Sequence, residues 1–185
     1  MKWLKFKILI LIILMLQVEA KADGIYFGGG FYSLSAEVGN KSTSLSNPSA
    51  YSLSYTKSFF PQISFEIGYS FLFESLIGGD MSYGPQIGVR YYHYGTSTNS
   101  TASLEGLSIH EVKSYNPYLS AGFSQKEFQS IKSSYSGFYL GGGVEMGWKK
   151  NLSLFSDFKY SQLSGPVQGK ANELTIIVGI IYHDF

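Results

Sequence analysis

The chain has 185 residues, 14 Lys and Arg against 13 Asp and Glu, and no cysteine. A near-neutral balance with no basic run excludes a nucleic-acid partner recognised by charge, and the missing cysteines exclude a disulfide scaffold. Aromatic residues reach 17% and charged residues only 15%, with 21 glycines, a composition suited to sheet rather than helix.

Residues 1–22 read as a secretory signal peptide. Lys2, Lys5 and Lys7 precede the apolar run Ile8 to Leu16, and Val18-Glu19-Ala20 or Ala20-Lys21-Ala22 supplies a small-residue cleavage site. Its removal takes four basic residues and one acidic residue, leaving a net charge of −2 on residues 23–185, a single-domain length. Beyond the signal no apolar run approaches the ~20 residues of a membrane-spanning helix. The remaining class is all-β.

In chain order, the first predicted strand is Ile25 to Ser33, with Ile25, Phe27, Gly29 and Phe31 against Tyr26, Gly28, Gly30 and Tyr32. Glu37 to Pro48 is polar and rich in Ser, Asn and Gly, which predicts a loop. Tyr51, Leu53 and Tyr55 alternate with Ser52, Ser54 and Thr56 as the second strand, and Pro61 marks a turn over Ser58 to Gln62. The third strand puts Ile63, Phe65, Ile67, Tyr69, Phe71 and Phe73 on one face. Ser64, Glu66, Gly68, Ser70 and Glu74 take the other, and Leu72 breaks the pattern.

Ile77 to Gly84 reads as a loop. The fourth strand sets Ile87, Val89 and Tyr91 against Gln86, Gly88, Arg90 and Tyr92, and a long polar connection, Gly95 to Lys113, follows. The fifth, Tyr115 to Ser124, alternates Pro117, Leu119, Ala121 and Phe123 with Asn116, Tyr118, Ser120, Gly122 and Ser124. Gln125 to Ser134 is a further predicted loop. The sixth and seventh strands form a hairpin around Lys149-Lys150-Asn151. Phe138, Leu140, Gly142, Val144, Met146 and Trp148 oppose Tyr139, Gly141, Gly143, Glu145, Gly147 and Lys149; then Leu152, Leu154, Phe158 and Tyr160 oppose Ser153, Asp157, Lys159 and Ser161. Gln162 to Lys170 is a loop, and Glu173 to Phe185 is the eighth strand, apolar on both faces from Ile176 to Tyr182.

Eight strands of about 10 residues fit tilted bilayer crossings, and a sheet in hydrocarbon must close because an open edge leaves backbone groups unpaired. The expected fold is an all-β, eight-stranded antiparallel up-and-down barrel whose interior has room only for side chains. Side-chain size sets the polarity. The bulky face (Phe65, Ile67, Phe71, Leu140, Val144, Met146, Leu152, Leu154 and Phe158) is expected to meet outer-membrane lipid. The small face is expected to line a narrow lumen where Glu66, Arg90, Glu145, Asp157 and Lys159 pair with one another, as buried charges require. Trp148, beside two lysines, suits an interfacial anchor.

The run Phe138 to Ser161 (FYLGGGVEMGWKKNLSLFSDFKYS), the segment Pro117 to Phe123 (PYLSAGF) and a last strand ending on Phe185 resemble the small eight-stranded outer-membrane β-barrel family. That group includes the OmpA transmembrane domain, OmpX and the opacity-type surface proteins. The resemblance implies residence in the outer membrane of a Gram-negative bacterium. It also implies recognition of the C-terminal strand, through Phe185, by the barrel-assembly machinery. His183 departs from the aromatic usual two residues before the end. With both termini periplasmic, the connections after even strands should be short, and Gly95 to Lys113 departs from that.

No cofactor or metal site is expected. The runs Gly28-Gly29-Gly30 and Gly141-Gly142-Gly143 lack the Gly-Lys-Ser/Thr ending of a phosphate loop, and His93, His110 and His183 match no metal spacing. The fragment Arg90 to Ser97 (RYYHYGTS) is similar to the His-x-Ser-Asn motif of the outer-membrane lipid A deacylases, but Gly95 stands in the nucleophile's place. The expected role is structural, adhesive or surface-interacting, with outward loops meeting host or environmental surface ligands. The alternatives are a soluble exported barrel around an apolar ligand, a lipid A-modifying enzyme using His93, and a passive pore.

Overall fold

The computed structural model describes residues 23–184 except 39–40, 75–80, 96–98, 105–106, 113–114, 130–131, 150 and 167–168. The proposed signal peptide and Phe185 lie outside the described residues. The described residues form ten strands: β1 (Asp23–Val38), β2 (Lys41–Phe60), β3 (Ile63–Phe73), β4 (Met81–Tyr92), β5 (Asn99–Leu104), β6 (Leu107–Val112), β7 (Asn116–Phe128), β8 (Ser133–Lys149), β9 (Leu152–Ser164) and β10 (Lys170–Asp184). Eight of them close an antiparallel barrel in the order β1-β10-β9-β8-β7-β4-β3-β2, and β5 and β6 form a separate two-stranded sheet. Closure runs from Asp23↔Asp184 to Glu37↔Lys170. The even count brings both chain ends to one end of the barrel, here the termini end.

The wall strands are longer than their apolar stretches. Of Glu37 to Pro48, expected as a loop, residues 37–38 belong to β1 and residues 41–48 to β2, which stay paired as far as Val38↔Lys41. In the same way β4 starts at Met81, β7 runs to Phe128, β8 starts at Ser133 and β9 runs to Ser164, each taking residues from a predicted loop. The physical reason is shared. At the end opposite the termini the outward residues lose their bulk (Gln125, Glu127, Ser134, Gln162 and Ser164 are exposed), so the period-two signal fades although the backbone ladder continues. Pro48, which has no N–H to donate, sits where the β1–β2 register shifts between Gly30 and Tyr32. The long connection Gly95 to Lys113 is corrected too: it contains the β5–β6 hairpin, inserted between wall strands whose order is undisturbed.

Bulky apolar side chains point out. Leu119, Phe138 and Leu140 are 67%, 75% and 68% exposed, and Phe65, Ile67, Met146, Leu154 and Phe158 are also exposed. Phe71, Val144 and Leu152 occupy the same outward positions and are half-buried by their neighbours. Trp148 is exposed at the termini end of β8, in a bulge where the register passes from Gly147↔Ser153 to Lys149↔Leu152. The bulge leaves Lys149 exposed as well, not on the small inner face as alternation predicts, and its Nζ lies 5.1 Å from the Trp148 ring centre.

The interior holds two apolar clusters among its polar groups. Tyr26, Tyr32, Ala50, Leu72, Phe155, Ile177 and Ile181 pack together along one side, which places the pattern-breaking Leu72 and explains the double-sided apolarity of β10. Its Ile177 and Ile181 face in, while Ile176, Val178, Ile180 and Tyr182 face out. Phe128, Tyr135, Leu163 and Ala171 close the far end.

Candidate functional site

Alternation along β3, β4, β8 and β9 delivers Glu66, Arg90, Glu145, Asp157 and Lys159 to the same interior level. Glu66 is 0% exposed, Arg90 and Glu145 1%, and all five are buried. Arg90 Nε donates to Glu66 Oε2 at 2.8 Å, and Arg90 Nη1 reaches Glu145 Oε1 at 3.5 Å. Lys159 Nζ donates to Glu66 Oε1 at 2.8 Å and lies 3.3 Å from Asp157 Oδ2. Gln86 Nε2 adds a donor to Glu66 Oε1 at 3.1 Å.

Three carboxylates face two cations in this network, and tyrosines balance the difference. Tyr26 and Tyr92 both donate to Glu145 Oε1, at 2.6 and 2.7 Å, and Tyr118 donates to Asp157 Oδ1 at 3.0 Å. The Arg90 guanidinium carbon lies 4.2 Å from the Tyr26 ring centre and 4.6 Å from that of Tyr118. Lys159 Nζ lies 5.0 Å from the Tyr139 ring centre. Cation–π contact and charge-assisted hydrogen bonds together replace the hydration these ions lose. The residues come from β1, β3, β4, β7, β8 and β9, so the network ties six wall strands across the lumen.

The four tyrosines were not singled out by sequence. Tyr92, Tyr118 and Tyr139 already shared the small-residue face with Arg90, Asn116 and Glu145, and that shared face was the available signal. A second ion pair was hidden by a predicted loop: Lys126 Nζ lies 3.1 Å from Glu173 Oε1, both side chains buried. Between the two charge layers is a cavity of about 20 Å³, lined by Tyr51, Ser70, Gln86, Ser124, Lys126, Lys159, Glu173 and Thr175 among others. Ser124 Oγ and Glu173 Oε2 have no protein partner. A space of this size suits one or two waters and is far too small for an apolar ligand.

Glycines make the lumen passable for rings. Tyr139 on β8 pairs with Gly122 on β7, which pairs with Gly88 on β4. A Cβ on Gly88 would lie 2.1 Å from the Tyr139 hydroxyl, and one on Gly122 2.7 Å from its ring. Phe155 on β9 repeats the arrangement over Gly179 on β10 and Gly28 on β1. Candidate Cβ atoms there would meet its ring at 2.8 Å.

The histidines are dispersed. His93 lies exposed in the turn after β4, its ring edge-on to Tyr94 at 4.8 Å, and Ser97 lies outside the described residues. His183 is buried near the termini end, with Nε2 2.9 Å from Ser153 Oγ. Among the described residues no group of three His, Cys, Asp or Glu is placed to hold a metal ion.

No protein-family model and no curated protein matches the sequence. Solved structures do. Neisserial surface protein A superposes with a TM-score of 0.53 at 13% identity, covering 86% of this chain and 96% of its own. The N-terminal β-barrel domain of Pseudomonas aeruginosa OprF gives 0.52 at 10% identity, covering 90% and 100%. In fold, the chain is a closed eight-stranded antiparallel barrel of the small outer-membrane type.

Proposed function

We propose that the protein is an integral outer-membrane β-barrel with a structural or surface-interaction role, carried by a lumen that is braced rather than open. The observation that carries the reading is the inverted polarity of the molecule. Ions paired at 2.8 Å are buried at the axis, while Phe138, Leu140 and Ile67 stand on the outside. A protein dissolved in water gains by the opposite arrangement, and hydrocarbon is the solvent that rewards this one. The described fold supports this placement over the soluble-barrel alternative.

The far end supports a contact role. There β1 and β2 continue past the apolar region as a paired polar extension, with Ser46 Oγ donating to Ser33 Oγ at 3.0 Å. Such a strand extension offers a paired outward surface to host or environmental ligands, in place of the loops expected from composition. The C-terminal strand β10, which closes the barrel against β1, is the element the assembly machinery would engage.

The test is fractionation followed by electrophoresis with and without boiling. The protein should sediment with outer membranes, resist protease and change mobility on heating. Recovery as a soluble periplasmic protein would end the proposal.

A further inference from the structure

The register of the wall fixes how high each residue stands along the barrel axis. Paired residues followed once round the wall, from Asp23 through Lys57, Phe65, Val89, Ala121, Leu140, Tyr160 and Leu174, return to β1 at Ser33, ten residues (33 − 23) from the start. Each step to the next of the eight strands climbs about 1.25 residues, the stagger of tilted strands in a closed barrel. Corrected for that climb, the bulky outward face does not end at one height. On six strands its last members are Phe31, Tyr51, Phe123, Phe138, Tyr160 and Leu174, about 7–9 residues above the level of Asp23. Polar outward residues follow on four of these strands, Gln125, Ser136, Gln162 and Asn172.

On β3 and β4 the bulky face runs on through Phe71, Phe73, Tyr83 and Met81, to about 10–12 residues above the same level. Tyr69 stacks on Tyr83 with ring centres 6.3 Å apart, and Phe73 meets Tyr51 edge-on at 5.9 Å, so this tall patch is continuous with the outward wall of Phe65 and Ile67 below it. The termini end is uneven in the complementary sense. Lys57 on β2, between buried Thr56 and Ser58, faces out about 1 residue above the Asp23 level, beside Phe65. Across the lumen, four strands away on β8, exposed Met146 and Trp148 carry the bulky face down to the Asp23 level and past it. An upright barrel would set Lys57 in the acyl layer at the height of Leu154 and lift Phe73 and Met81 into water, two separate costs.

We propose that the barrel leans in the bilayer, its far end inclined toward β3 and β4, so that the lipid boundary cuts the wall obliquely. The partner is the acyl layer, assigned by the continuity of the tall patch with the outward wall. The lean brings Phe73 and Met81 down among acyl chains. It moves Lys57 to the headgroups, where Phe60 on β2 and Tyr91 on β4, both exposed, supply an aromatic rim. It also inclines the β1–β2 extension toward the lipid surface, because β2 borders β3. This rests on the membrane reading above and gives it a direction.

The absence of cysteine permits a direct test on the full chain refolded into phosphatidylcholine vesicles. Single variants would carry a fluorophore quenched by brominated acyl chains: Phe73→Cys against Gln162→Cys at the far end, and Met146→Cys against Lys57→Cys at the termini end. Met81→Cys replaces Phe73→Cys should that variant not refold. Quenching at 73 at least about twice that at 162, and at 146 at least about twice that at 57, is the expected result. A smaller ratio in either pair would overturn the lean. Ile67→Cys in the middle of the wall separates the two readings. Strong quenching there with equal values inside the pairs means that only the lean fails; no quenching there means that the membrane reading fails.

Discussion

Tyr26 and Glu145 meet across the lumen through a 2.6 Å hydrogen bond that links β1 to β8, strands separated by β9 and β10 in the wall. The bond stands for the whole interior, where cross-lumen contacts hold a cylinder whose strands otherwise touch only their neighbours. Tyr26→Phe removes one donor to a buried carboxylate and should cost about 1.5–3 kcal/mol, the range for a hydrogen bond to a charged group. Urea unfolding in lipid vesicles would measure it.

Arg90 serves two carboxylates at once. Arg90→Ala leaves Glu66 and Glu145 buried with a partner missing, so the loss should be larger, about 3–5 kcal/mol. The same unfolding series gives the ranking, with Arg90→Ala below Tyr26→Phe. A smaller effect for Arg90 would mean that Lys159 and the tyrosines suffice without it.

Gly88 and Tyr139 form a size-matched pair. Gly88→Ala should destabilise by about 1–3 kcal/mol through overpacking against the ring. Tyr139→Ala combined with it should recover part of that loss, giving a coupling energy of at least about 0.5 kcal/mol in a double-mutant cycle. Additive effects would remove the ring from the explanation.

On the outer wall, cost should depend on depth. Ile67→Arg, in the middle of β3, should cost about 2–4 kcal/mol in a bilayer, while Trp148→Arg at the rim should cost about 0–1. Comparison of the two in vesicles checks the gradient.

The packed lumen bears on conduction. Phe128 and Tyr135, whose rings meet edge-on at 5.1 Å, fill the far end, and the ion network fills the middle of the lumen. Planar bilayers containing the protein should stay silent, and stepwise currents would revive the pore alternative.

Much of this was legible in the sequence because two solvents of opposite polarity met the two faces of each strand. Phe65 against Glu66 and Leu140 against Glu145 carry that contrast plainly. Legibility failed where the contrast vanished. Ser42 to Asn47 are polar apart from Leu45 and read as a loop. Lys126 belongs to the lumen but sits between Gln125 and Glu127, with no bulky outward neighbour to reveal the period. The tyrosines were ambiguous for a different reason: a phenol suits a lipid–water rim as well as a carboxylate partner, so Tyr92 and Tyr91 are told apart only by parity. Ile177 and Ile181 face in because Tyr26 and Phe155 make an apolar pocket for them, a tertiary fact that β10 alone does not encode.

The inverted polarity is most directly tested by spin labels on β3 and β9 of the protein in lipid bilayers, at outward Phe65, Ile67, Leu154 and Phe158 and at inward Ser64, Ser70, Ser153 and Ser161. Collision rates with dissolved oxygen, which concentrates in the acyl chains, should be high at the first four positions and low at the second. High oxygen access at the serine positions, or no alternation at all, would contradict the account.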